Sequence, residues 1–216
     1  MAVTKLFGSS IKRREDPRLM TGRASFTDDV RLPGMVAMAV LRSPHAHATI
    51  ERIDTTAAAA MPGVIGVYTG ADLVGDLAPV PCAWLVPNAE LVIPEYRAVA
   101  VDKVRFVGDA VAVVVADNRY IAQDAADAIE VEYGVLPAIV DQEAATHDGA
   151  PQLYDNVPNN IAFHWQLGGG DTDAAFAEAD VTIKRRIVNQ RLIPIPMETR
   201  GAVASYNPGS GDLTLW

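Results

Sequence analysis

Residues 104–133 read VRFVGDAVAVVVADNRYIAQDAADAIEVEY, and this stretch decides what kind of fold the chain can make. Ala110–Ala116 is an unbroken, valine-rich apolar run of strand length, the composition of a strand buried on both faces. Asp117 or Asn118 can cap a following helix, whose apolar positions Ile121, Ala125 and Ile129 recur every four residues. Ala122, Ala125, Ala126 and Ala128 would let that helix lie close to a sheet. A second strand, Ile129–Tyr133, starts before a hairpin turn could fit, so the order strand, helix, strand predicts a right-handed parallel crossover. Val104–Phe106 precedes the unit and is expected to pair antiparallel with Ala110–Ala116 through a turn at Val107-Gly108-Asp109. The whole is a β-β-α-β block.

Upstream the same order recurs. Val36–Leu41 reads as a strand, Ser43-Pro44 as a turn, and Ala48–Ile53 alternates apolar and polar residues as a half-buried strand does. Asp54, Thr55 or Thr56 can cap a short helix over Ala57–Met61, Pro62-Gly63 stops it, and Val64–Thr69 follows as a strand. The two blocks share a pattern but little sequence. Residues 1–34 are polar and irregular, and Gly70–Arg97, carrying four prolines, reads either as a functional loop or docking surface or, the preferred reading, as an ordered excursion covering a sheet edge. Beyond the blocks, Gly134–Asn160 reads as a linker. A strand (Ile161–Leu167), a short helix (Thr172–Ala179), a long strand (Val181–Asn189) and a hairpin (Gly201–Tyr206 with Leu213–Trp216) come after it. An apolar strand at the last residues leads us to expect a piece of a longer polypeptide.

Composition narrows the function classes. The chain has 216 residues, half of them apolar, and a net charge of −9 with no basic run longer than Lys12-Arg13-Arg14. That excludes the concentrated positive stripe of a nucleic-acid surface. A single cysteine, Cys82, rules out an internal disulfide and suits a reducing compartment, so a cytoplasmic location is expected. No apolar stretch approaches the ~20 residues that span a bilayer.

Few constellations carry chemistry. Gly168-Gly169-Gly170 lies between a strand and a helix, but no third glycine is spaced into the helix, and Asp171 and Asp173 stand where a pyrophosphate would sit. A flexible turn is the better reading. His45 and His47 could begin a metal site, yet His147 and His164 lie in other segments, and a hydrogen-bonded turn explains the pair more simply. Cys82 has no basic activator nearby and reads as an inert thiol. In Gln190–Gly201 the prolines 194 and 196 stiffen the backbone, and Arg191 and Arg200 flank Glu198, favouring its ionised form. No catalytic, cofactor-binding or metal-ligating residue is assigned.

Several stretches together resemble the molybdenum-binding large subunit of the xanthine dehydrogenase and aldehyde oxidase family, with the closest look to its aerobic carbon monoxide dehydrogenase branch. They are Arg14–Leu19, Gly22–Asp29, Arg42–Ala48, Ile53-Asp54, Pro62–Val64, Val104–Asp109, Gly170-Asp171 and Pro196–Gly201. The resemblance implies an α+β fold. It places an N-terminal extension at 1–19, an α/β hammerhead domain made by the two β-β-α-β blocks at 20–140, a linker at 141–160, and the first strands of a molybdopterin-binding domain at 161–216. It also implies a molybdenum–molybdopterin cofactor, often as the cytosine dinucleotide, in the complete subunit. The expected partners are the remainder of that subunit, an iron–sulfur small subunit and an FAD-binding medium subunit. The implied reaction is oxidation of a small molecule such as carbon monoxide, an aldehyde or an N-heterocycle with water-derived oxygen. The family's cofactor loops and base glutamate have no counterpart here, so this chain alone is expected to carry no cofactor. Met197, Glu198 and Arg200 are expected to line the substrate funnel or brace the loops that do. A non-catalytic hammerhead module acting in assembly or binding is the alternative.

Overall fold

The computed structural model describes residues 7–84, 89–190 and 192–216, which fall into two compact units. One comprises residues 35–182, the other residues 1–34 together with 183–216.

The first unit holds β1 (Ala37–Arg42), β2 (Ala48–Asp54), β3 (Val64–Thr69), β4 (Lys103–Val104), β5 (Ala110–Ala116) and β6 (Glu130–Val135). They form two three-stranded sheets, in the orders β1-β5-β3 and β4-β2-β6. The two sequence blocks therefore interleave. The second strand of each block inserts between the first and last strands of the other.

This corrects two expectations. Val104–Phe106 does not form a hairpin with Ala110–Ala116, because β4 pairs with β2 through Ala48↔Val104. Asp109 gives the reason: its carboxylate takes the Arg105 backbone N–H at 3.0 Å, so that donor is lost to a hairpin ladder. Nor do β5 and β6 make a parallel crossover. They lie in different sheets, and every strand pairing among the described residues is antiparallel. The alternation Glu130-Val131-Glu132-Tyr133 suits an edge strand with one wet face, as β6 is in its sheet.

The links between first and second strands in each block are sheet-changing corners, and they brace each other. Ser43 N donates to Asp109 O and Gly108 N donates to Ser43 O, both at 2.8 Å. Gly108 has φ +91°, a conformation that a Cβ would strain.

The core lies between the β1-β5-β3 sheet and two helices, α2 (Thr56–Ala59) and α4 (Arg119–Asp127). (Two other short helices, α1 at Asp16–Met20 and α3 at Gly70–Leu73, flank the strands in sequence.) Ala112 and Val114 from β5 meet Ala125, Ala126, Ala58 and Ile129, with all six buried. Small side chains let helix and sheet approach closely, as the alanine pattern predicts. Asn118 caps α4, its Oδ1 accepting from Tyr120 N at 3.0 Å and Ile121 N at 3.1 Å. A second cluster of Ala48, Ala100, Val104 and Val111 joins the two sheets. β5 is thus fully buried on its helix side, whereas Val113 and Val115 on the opposite face are only half-buried.

Gly70 approaches the Ala100 carbonyl so closely that a Cβ would lie 2.1 Å from its oxygen. The Gly70–Arg97 excursion is anchored by Val80 N donating to Tyr96 O at 2.7 Å. Residues 85–88 of it lie outside the described residues. The stretch read as a linker is held by Asn160, which accepts from Leu153 N at 3.0 Å and donates to Ala145 O at 2.8 Å and Pro151 O at 2.9 Å.

Ile161–Leu167 and Val181–Asn189 were expected as strands, and neither forms a ladder. Ile161–Leu167 docks instead through Val92 N to Ala162 O, 2.8 Å, and by the edge of Phe163 on Trp84, ring centroids 5.1 Å apart. Extended sequence becomes a strand only beside a partner strand. α5 (Thr172–Glu178) forms as predicted, capped by Asp171, whose side chain accepts from Ala174 N at 2.9 Å.

In the second unit β7 (Ala204–Asn207) and β8 (Asp212–Leu215) make the expected hairpin, extended by the reciprocal Val203–Trp216 backbone bonds. Gly201 sits near Thr27, 3.6 Å from where a Cβ would point.

Candidate functional site

Burying a polar side chain is costly unless it is hydrogen-bonded. Among the described residues the buried polar side chains are Ser43, His47 and Asp109, gathered at the braced corners. Ser43 Oγ accepts from His45 N at 3.0 Å, closing the turn that the Ser43–His47 spacing suggests. The His45 ring meets Tyr133 edge-on at 5.0 Å. Burial pushes the Tyr133 hydroxyl up, partly offset by a hydrogen bond to Ser43. His47 Nδ1 stands 3.0 Å from Pro137 O, an acceptor, so this nitrogen carries a proton, and Nε2 is buried without a hydrogen-bond partner among the described residues. The two histidines are thus turn and corner residues. Among the described residues no three His, Cys, Asp or Glu side chains converge as a metal ligand set.

Beside these corners lies a hollow of about 620 Å³, formed entirely within residues 35–182. Tyr96 and Tyr154 wall it, and Arg97, Lys103, Arg105 and Asp109 reach into it. Arg105 is the organising residue. Its guanidinium lies over the Tyr154 ring, 4.5 Å from the centroid. Its Nε donates to Leu153 O at 2.8 Å and its Nη1 to Lys103 O at 3.0 Å. Arg97 pairs with Glu95 and donates to Leu77 O at 3.1 Å. Burial pushes the Asp109 carboxyl up from its ordinary range, and the Arg105 and Ala110 N–H groups and the Arg105 charge offset this only in part. Sequence reasoning did not find this hollow. Arg105 sits in a quoted motif, but nothing local signals that Tyr154, about fifty positions on, supplies its platform.

The residues expected at a funnel lie in the second unit, at and just after a bend at Met197-Glu198 that follows the prolines. Met197, Glu198 and Arg200 are all exposed, Met197 completely. Glu198 and Arg200 do not form an ion pair, and Arg191, the other expected partner, lies outside the described residues. The glycine turn at 168–170 is open, since a Cβ on any of the three would meet nothing within 4 Å. Cys82 is exposed. Among the described residues no helix is long and apolar enough to cross a membrane.

An α+β unit of two interleaved β-β-α-β blocks is the fold of a hammerhead domain, and comparison with known proteins agrees. Residues 21–137 match the family described as aldehyde oxidase and xanthine dehydrogenase, a/b hammerhead domain. Residues 153–216 match the molybdopterin cofactor-binding domain. The chain belongs to the aldehyde oxidase and xanthine dehydrogenase family. It is 39% identical to the carbon monoxide dehydrogenase large chain of Hydrogenophaga pseudoflava, over 94% of this chain and 26% of that one. It is 35% identical to the nicotine 6-hydroxylase large subunit of Paenarthrobacter nicotinovorans, over 98% of this chain and 26% of that subunit. A crystal structure of a Cu,Mo-CO dehydrogenase in its carbon monoxide reduced state superposes with a TM-score of 0.82 at 38% identity, over 97% of this chain and 27% of that one. The chain therefore spans about a quarter of the length of the relatives it matches.

The described residues do not themselves fit a molybdopterin group. Among the described residues, nothing stands within 4 Å of where a Cβ on the glycine turn would lie, the 197–200 segment is exposed, and no metal-ligand cluster forms.

Proposed function

We propose that this chain is part of the large subunit of a molybdenum hydroxylase, which oxidises a small molecule such as carbon monoxide, an aldehyde or an N-heterocycle with water-derived oxygen. One observation carries the reading: a hammerhead match at 21–137 is followed in the same chain by a molybdopterin-domain match at 153–216. In this reading residues 1–19 are an extension, 20–140 the hammerhead domain, 141–160 a linker and 161–216 the start of the cofactor domain. The rest of the large subunit holds the cofactor as its cytosine dinucleotide, and iron–sulfur and FAD subunits take the electrons. The assembly is cytoplasmic, in keeping with the lone cysteine. Met197, Glu198 and Arg200 either line the substrate funnel or brace the loops that do.

The test is a chimera in which this chain replaces the matching quarter of the Hydrogenophaga carbon monoxide dehydrogenase large chain, expressed with that enzyme's other subunits. Molybdenum content and turnover near those of the parent are expected. A folded, assembled chimera without molybdenum or turnover refutes the proposal.

A further inference from the structure

The carboxyl of an aspartate can be attacked by the backbone nitrogen of the next residue, and glycine in that position hinders the attack least because it has no Cβ. The chain contains one Asp-Gly pair, Asp148-Gly149, and no Asn-Gly pair. The fold places it at a turn of the first unit where His147, Asp148 and Gly149 are all exposed. Ala150 N donates to His147 O at 3.1 Å across this turn. Gly149 has φ +80°, and a Cβ there would meet nothing within 4 Å. Among the described residues no hydrogen bond uses Gly149 N or the Asp148 carboxylate. Nucleophile and electrophile are therefore adjacent, solvated and uncommitted. The turn that must open to join them is closed by one exposed hydrogen bond, the kind of contact that opens locally at little cost.

We propose that Asp148-Gly149 is a backbone modification site, at which aspartate converts to isoaspartate in the folded protein and thereby loosens residues 141–160. Gly149 N bonds to Asp148 Cγ. One carboxyl oxygen leaves as water with the amide hydrogen and a proton from solvent, and a succinimide ring remains. Water then adds back at one of the two ring N–C bonds and returns that proton. Cleavage of the bond to Cγ restores aspartate, whereas cleavage of the bond to the main-chain carbonyl carbon routes the backbone through Cγ and frees an α-carboxylate. Nothing is oxidised, and mass and charge are unchanged. The product backbone is one carbon longer, about 1.5 Å of chain. Asn160 spans the turn: it donates to Ala145 O at 2.8 Å before it and to Pro151 O at 2.9 Å after it, and accepts from Leu153 N at 3.0 Å. Hydrogen bonds of these lengths are lost when one partner moves by that distance. The reaction needs only water and the chain itself, so it is independent of any molybdenum chemistry.

Storage of the whole folded chain in neutral buffer at physiological temperature for several weeks, followed by peptide mapping, tests this. Electron-transfer fragmentation distinguishes isoaspartate from aspartate at equal mass. Isoaspartate is expected at position 148 several-fold above every other aspartate of the chain. Asp148→Glu keeps the charge but requires a larger ring, so it should abolish the signal with an unchanged circular dichroism spectrum. Asp148→Asn reaches the same succinimide with ammonia as the leaving group and should give isoaspartate at 148 faster still. Limited proteolysis of the stored protein should show new cuts within 141–160 that grow in step with isoaspartate, and none in stored Asp148→Glu. Isoaspartate at 148 no higher than at the other aspartates overturns the proposal, as does conversion confined to chain unfolded in urea. So does converted protein that is cut within 141–160 no more readily than fresh protein.

Discussion

The interleaved topology makes a quantitative statement about β5 that a parallel crossover would not. In β5 the neighbouring residues Val114 and Val115 point to opposite faces. Val114 is fully buried against α2 and α4, whereas Val115 is half-buried on the face away from them, across from Met38 and Gly66. Val→Ala removes two methylene equivalents, about 0.8 kcal/mol each in transfer free energy, and a rigid site adds a cavity term of similar size. Val114→Ala should therefore cost about 2–3 kcal/mol. The loss of β propensity is common to both substitutions and cancels in the comparison. Val115→Ala keeps part of its solvent exposure and leaves a dent that water fills, so it should cost about 1 kcal/mol or less. Urea unfolding followed by far-UV circular dichroism measures both. With a slope of about 2 kcal/mol/M the Val114 variant should shift its midpoint down by about 1 M, and the Val115 variant by less than half of that. Equal costs, within about 0.3 kcal/mol, would show β5 buried equally on both faces and refute its one-sided packing under α2 and α4.

Limited proteolysis should cut first within residues 183–190 or 192–202, which lack a ladder, and should spare 141–160, which Asn160 holds together. Asn160→Ala should bring early cuts into 141–160, visible by mass spectrometry of the fragments. For Asp109 the sign follows from its raised folded-state pKa: the native state binds the proton more tightly than the unfolded chain, so this group favours folding below its unfolded value. That stability is lost as pH rises through the folded value, which lies above the ordinary one. Asp109→Asn should remove this part of the pH dependence, so the urea midpoint of the wild type should fall relative to the variant between pH 4 and 7. Asp54 and Asp72 act oppositely, since the Thr56 and Thr69 donors hold them low, and their contribution is lost on acidification. In the complete subunit Glu198→Gln should keep turnover per bound molybdenum within about tenfold while molybdenum occupancy or thermal stability falls. Full occupancy with turnover lost by several orders of magnitude would make Glu198 a catalytic residue.

Local chemistry is what the sequence alone determined. The alanine-faced helix with its Asn118 cap, the stop at Pro62-Gly63, the Asp171 cap, the Asn207–Asp212 hairpin and the Ser43–His47 turn are each specified by a few adjacent residues, and each stands where the sequence puts it. The ordered motifs also identified the family. Pairing was decided only in three dimensions. A strand's apolar run states how deeply it is buried, but not which strands flank it. Here Asp109 takes the Arg105 N–H, turns the chain at a corner and sends β4 and β5 into different sheets. The hollow was equally hidden. Its lining depends on Arg105 meeting Tyr154 and Lys103 pairing with Asp155, relations between segments far apart in the chain. Side-chain periodicity records the environment of each residue, whereas the identity of its neighbour is fixed by the packing of the whole unit.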